Sequence, residues 1–88
     1  MVEQTVAECL TAATDSVTVI NDINTNGSNS KCVAEGSTQA EINDIVQRNV
    51  DHLEIILEYT EPNVKGASDD KSSYTGAVTT GKAYIAAN

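Results

Sequence analysis

Residues 38–60 read TQAEINDIVQRNVDHLEIILEYT, and their pattern decides the fold class. At about 100° per residue, the apolar side chains gather on one side of a helix and the acidic side chains on the other. The core-facing arc consists of Ile42, Ile45, Val46, Asn49, Leu53, Ile56, Leu57 and Thr60, and the acidic stripe of Asp44, Asp51, Glu54, Glu58 and Glu61. This segment is therefore predicted to be an amphipathic helix.

Both ends of this helix carry local signals. Thr38 and Glu41 have the spacing of a capping box, in which each side chain accepts a hydrogen bond from the backbone N–H of the other residue. Pro62 disfavours helical geometry at the residue before it and has no amide donor of its own. The pattern predicts a helix over residues 38–60.

Two further helices are predicted, over residues 2–24 and 73–87. Their apolar residues recur at spacings of three and four, which places them on one helical face. The first stripe is Val2, Val6, Leu10, Ala13, Val17 and Ile20, and the last is Tyr74, Ala77, Val78, Gly81, Tyr84 and Ile85. Asp70 or Ser72 can cap the last helix after a linker over residues 61–72. We therefore predict one all-α domain over residues 1–88, either a small three-helix bundle or a helical hairpin plus a C-terminal helix.

Residues 15–20, DSVTVI, leave an alternative open. Their β-branched side chains favour a strand, which could pair with residues 31–34 through a hairpin turn at Asn26 and Gly27. The apolar spacing of the whole segment fits a helix better. In that helix Val19 falls off the apolar face.

A long loop rich in Asn and Ser is predicted over residues 25–37, between the first two helices. Loops of this length tend to be functional or mobile. Cys32 and Val33 form an apolar island within it, and we expect them to pack against the helices or against another subunit. The thiol of Cys32 is expected to be reduced and not paired with Cys9, as is usual for two lone cysteines in a reducing compartment.

The chain is strongly acidic, with 13 acidic and 5 basic side chains and a formal charge of −8. Direct nucleic-acid binding is not expected, because no clustered Lys or Arg surface can be assembled. The simplest role for the charge is solubility, and an acidic surface for a basic protein partner is the alternative.

No catalytic, cofactor or metal site is predicted. His52 is the only histidine, and its neighbours four residues away, Arg48 and Ile56, are not metal ligands. A signal peptide is not expected, because acidic residues stand at positions 3 and 8, and no apolar run approaches the roughly 18 residues of a membrane span.

Several features point to contacts between chains. The core must be aliphatic, because the chain has no Phe and no Trp, so oligomerisation would add stability. Gly76 and Gly81 each cost about 1 kcal/mol in helix propensity unless a close neighbour compensates. Ile55 lies within the acidic stripe. The candidate interaction residues are Val19, Cys32, Val33, Asp51, Glu54, Ile55, Glu58 and Gly81.

Two stretches, IVQRNVDHLEIIL at residues 45–57 and AVTTGKAYIAAN at residues 77–88, resemble short proteins encoded among the structural genes of tailed bacteriophages. The resemblance implies a small helical, non-enzymatic virion component that decorates, cements or connects larger proteins. From the residues discussed above we expect a homo- or hetero-oligomer with other protein subunits, and we predict no cofactor, no direct nucleic-acid contact and no membrane contact. The resemblance carries over no catalytic residues. The alternative is an acidic regulator whose carboxylates imitate nucleic-acid phosphates, and strong salt dependence would distinguish it.

Overall fold

The computed structural model of the chain describes residues 6–58 and 71–88, and for residues 6–12 the backbone alone. The described segments form α1 (Val6–Asn26), a 3-10 turn (Gly27–Asn29), α2 (Gln39–Glu58) and α3 (Ser72–Ala87). Each helix packs against the other two, so the prediction of an all-α three-helix bundle is confirmed. Residues 15–20 are helical, and the β-hairpin alternative is wrong. The apolar repeat along α1 outweighs the strand propensity of its β-branched residues.

The first helix continues two residues beyond its predicted end at residue 24. The side-chain amide of Asn26 donates to Asp22 one helical turn earlier, at 3.1 Å, so the Asn-rich sequence supports the last turn. Gly27 then adopts a left-handed φ of +56°, which favours glycine and ends the helix. The predicted loop therefore starts with helical turns.

The second helix begins as predicted. The backbone N–H of Thr38 donates to Glu41 Oε1 at 2.8 Å, and the N–H of Glu41 donates to Thr38 Oγ1 at 3.2 Å. These two bonds form the capping box. Both hydrogen bonds lower the pKa of Glu41. The bond from the Thr38 N–H has the larger effect, and the bond with the Thr38 side chain has the smaller one.

The third helix begins at Ser72, one residue before its predicted start. Lys71 occupies the N-cap position, so Ser72 is the first helical residue and not the cap. The side chain of Lys71 makes no capping hydrogen bond. The predicted cap at Asp70, the stop at Pro62 and nearly all of the linker over residues 61–72 lie outside the described residues.

Side chains from all three helices form one aliphatic core. Its buried apolar members are Ala13, Ile20, Ile23, Ile42, Val46, Val50, Leu53, Ile56, Ala77 and Tyr84. Val50 is fully buried although the predicted arc omits it, because at about 100° per residue it falls just beyond the edge of that arc. Asn49, which the arc includes, is half-buried, and its amide donates to the Ile45 carbonyl at 2.7 Å. The predicted core positions Val2, Val6, Leu10 and Thr60 lie outside the described side chains.

Gly81 lies where α3 packs closely against α2. A Cβ atom at this position would lie 2.5 Å from Val50 Cγ2 and 3.2 Å from Val46 Cγ1. The neighbour that compensates for this glycine is therefore in the same chain. Gly76 is exposed, and a Cβ atom there would meet nothing within 4 Å, so the predicted close neighbour of Gly76 is absent from the described structure.

A buried serine holds the loop after α1. The hydroxyl of Ser30, which is only 4% exposed, donates to the carboxylate of Asp22 and accepts from the N–H of Cys32 at 3.0 Å. The bond from Ser30 also lowers the pKa of Asp22. Cys32 and Val33 consequently pack against the core of their own chain.

Candidate interaction surface

Five exposed residues of α2 form a stripe on the side opposite the core, which we call the α2 outer face. Its members are Asp44, Arg48, Asp51, Ile55 and Glu58, separated by four, three, four and three residues. This alternation keeps side chains in line along a helix. Ile55 is 55% exposed and is the only large apolar side chain that is exposed in the described part of the chain.

The charges on this face are distributed unevenly. Asp44 is paired with Arg48 at 2.8 Å in the first half of the stripe. Asp51 accepts a hydrogen bond from the neutral amide of Gln47 at 2.8 Å, and neither Asp51 nor Glu58 forms an ion pair with any residue in the described ranges. Uncompensated negative charge is thus concentrated on both sides of Ile55.

Glu54 lies at the edge of this face. Its carboxylate is 3.4 Å from the ammonium nitrogen of Lys82 on α3, and both side chains are partly exposed to solvent. A pair of this kind contributes little stability, typically about 0–1 kcal/mol. It does supply Glu54 with a cation, so the negative charge of the predicted acidic stripe is partly compensated here.

The structure brings together three of the candidate interaction residues, namely Asp51, Ile55 and Glu58. Two others are corrected. Val19 was expected to face water but is half-buried against the core. The reason is that α2, α3 and the 3-10 turn all contact α1, and together they cover more of its surface than one apolar stripe. Gly81 is buried among the three helices and offers no surface to a partner.

The remaining two candidates, Cys32 and Val33, lie in the loop after α1, away from the α2 outer face in sequence. Both are half-buried against the core, and within the described side chains the thiol of Cys32 is free. The side chain of Cys9 lies outside the described residues. These two positions stabilise the loop within the chain.

The pairing within the outer face is a feature that the sequence interpretation missed. Asp44 and Arg48 are four residues apart on a helix, which is the spacing of a favourable ion pair, so the pattern contained this signal. The contact of Glu54 with Lys82 joins residues 28 positions apart, and no local pattern indicates it.

The described residues offer neither a metal site nor a membrane-spanning helix. They contain no group of three or more His, Cys, Asp or Glu side chains placed to hold a metal ion. Among the described helices, none combines the length and the apolar character that a membrane crossing requires. Comparison of the chain with protein-family models, curated proteins and solved structures finds no match.

Proposed function

We propose that this protein is a non-enzymatic interaction subunit that binds a protein partner through the α2 outer face. The observation that carries the proposal is the exposure of Ile55 in a chain whose other large apolar side chains, within the described ranges, are buried or half-buried. A single exposed apolar residue is common on protein surfaces. Ile55 differs because it lies within a straight helical stripe and is flanked by two carboxylates without ion-pair partners.

The proposed setting is the particle of a tailed bacteriophage, where the chain would decorate, cement or connect larger proteins. The resemblance of residues 45–57 and 77–88 to proteins encoded among phage structural genes supports this setting. The first of these stretches includes Ile55 and most of the outer face. The partners would be other protein subunits, and the site of action would be the virion.

The alternative function, an acidic regulator that imitates nucleic-acid phosphates, receives less support. Such a surface needs a continuous row of uncompensated carboxylates. Here Asp44 is paired with Arg48, and Glu54 lies next to Lys82. On the α2 outer face, whose residues are all described, the carboxylates without an ion pair are the two beside Ile55, which suits the border of an apolar contact better than a row of phosphates.

The proposal is tested by measuring how much of the chain enters purified phage particles. Three versions are compared: the parent, Ile55→Glu, and the control Ala83→Glu, which adds the same charge to an exposed position on α3. Peptide mass spectrometry should find a fixed copy number per particle for the parent and for Ala83→Glu, and at least about a tenfold reduction for Ile55→Glu. Circular dichroism should show unchanged helix content in both variants.

Two results would count against the proposal. If the parent chain is absent from washed particles, it is not a virion component. If Ile55→Glu enters particles as well as Ala83→Glu does, the α2 outer face is not the contact surface. Raising the salt concentration distinguishes the alternative, because screening should release an electrostatic inhibitor far more readily than an apolar contact.

A further inference from the structure

Resting on the proposed function, we infer that the partner is a protein of different sequence that receives Ile55 in an apolar recess bordered by Lys or Arg side chains. The evidence is the charge pattern around Ile55. Asp51 lies one turn before it and Glu58 one turn after it, both are exposed, and both lack an ion-pair partner in the described part of the chain.

The chemistry of these neighbours determines the border of the recess. When Ile55 is buried in a contact, Asp51 and Glu58 lie at its margin and lose part of their hydration. If the border of the recess were apolar, these carboxylates would lose water without gaining a hydrogen-bond or ion-pair partner, which costs free energy. Lys or Arg side chains would supply charge-assisted hydrogen bonds and would also accelerate association.

An antiparallel contact between the α2 outer faces of two copies of this chain does not provide such a recess. An antiparallel contact that pairs Ile55 with its own copy places Arg48 seven residues, or about 10.5 Å, from the centre, whereas Asp51 and Glu58 lie only four and three residues from it. No described Lys or Arg then faces Asp51 or Glu58. A shifted contact that sets Arg48 opposite Glu58 instead places Ile55 against Asp51. Both arrangements also bring together two chains of net charge −8.

The experiment uses three synthetic amphipathic helices of equal length as probes. Each carries the same Leu stripe, which is bordered by Lys in the first peptide, by Gln in the second and by Glu in the third. Each peptide is titrated into the ¹⁵N-labelled chain at about 0.1 M salt, where the screening length is about 10 Å. We expect the Lys peptide to bind with chemical-shift changes centred on Asp51, Ile55 and Glu58. The Gln peptide should bind at least about fivefold more weakly, and the Glu peptide should show no saturable binding.

Two substitutions with identical charge change provide the control. Asp51→Lys should weaken binding of the Lys peptide by at least about fivefold, whereas Asp15→Lys, at an exposed position on α1, should change it by less than about twofold. Ile55→Ser should weaken binding by about tenfold without altering helix content.

Several outcomes would overturn the inference. These are equal affinity for the Lys and Gln peptides, equal effects of Asp51→Lys and Asp15→Lys, shift changes centred on α1 or α3, and no binding of the Lys peptide. Self-association that depends on Ile55, detected by sedimentation, would overturn it as well. That last result would leave the proposed contact surface in place, whereas normal entry of Ile55→Glu into particles would exclude the surface itself.

Discussion

Replacing Gly81 by Ala tests the packing of the bundle directly. The new Cβ atom would lie 2.5 Å from Val50 Cγ2, 3.2 Å from Val46 Cγ1 and 3.4 Å from Ile20 Cγ2. The first distance is shorter than real Cβ contacts allow. Val50 is fully buried and β-branched, and such side chains have one strongly preferred rotamer in a helix, so it cannot simply rotate away. The helices must separate locally, or Val50 must adopt a strained rotamer.

The size of the effect follows from two opposing terms. Gly→Ala within a helix stabilises it by about 1 kcal/mol, whereas overpacking a core typically destabilises by about 1–3 kcal/mol. Gly76→Ala is the matched control, because it has the same helix-propensity gain and meets nothing within 4 Å. Gly76→Ala should therefore stabilise the chain by up to about 1 kcal/mol, and Gly81→Ala should be about 1–3 kcal/mol less stable than that control.

Urea and thermal unfolding followed by circular dichroism measure this difference. For a domain of this size, 1 kcal/mol corresponds to roughly 4–8 °C in Tm. Combining Gly81→Ala with Val50→Ala removes the crowding methyl group, so the double variant should lose less stability than the sum of the two single variants. If Gly81→Ala is as stabilising as Gly76→Ala, then α3 does not approach α2 at this residue and the described packing is wrong.

Three further predictions concern the core and the loop. Leu53→Ala should destabilise the chain by about 2–5 kcal/mol, because Leu53 is fully buried in the core, and unchanged thermal unfolding would contradict its assignment there. The Ser30 hydrogen bond lowers the folded-state pKa of Asp22 below 3.8, so its carboxylate contributes stability that is present above that pH and is lost as the pH falls through the folded value. Urea midpoints of the parent and of Asp22→Asn should therefore differ most at neutral pH, and the difference should become smaller in acid. A difference that does not change with pH would argue against stabilisation by the Asp22 carboxylate. Cys32 should be alkylated without prior reductant, and intact-mass measurement showing no addition until reductant is supplied would indicate a disulfide.

The sequence predicted the parts of the fold that depend on local patterns. The apolar repeat predicted three helices, and the spacing of Thr38 and Glu41 predicted the start of α2, because each depends on residues within a few positions of one another. Periodicity favoured Asn49 over Val50 for the core, since Asn49 lies within the predicted arc and Val50 falls just beyond its edge. The position of α3 decides for Val50, because Gly81 on α3 faces it.

The candidate surface was likewise predicted only where it depends on the spacing of residues along one helix. The helical pattern placed Ile55 among acidic residues, and the exposure of Ile55 confirms that placement. The partial burial of Val19 and the burial of Gly81 depend on how three helices surround one another, which a stripe read from one helix does not reveal. The bond of Ser30 to Asp22 joins residues eight positions apart across a turn, and it depends on the course of the loop.

The most direct test of the central claim is photocrosslinking from position 55. Ile55 is replaced by the apolar photoreactive residue p-benzoylphenylalanine, with the same replacement at exposed Thr18 on α1 as the control, in cells that express the chain from its native genomic context. The account predicts a discrete adduct from position 55 with a different protein, at a peptide that carries Lys or Arg beside apolar residues, and little adduct from position 18. An adduct between two copies of this chain, or equal labelling from both positions, would contradict it.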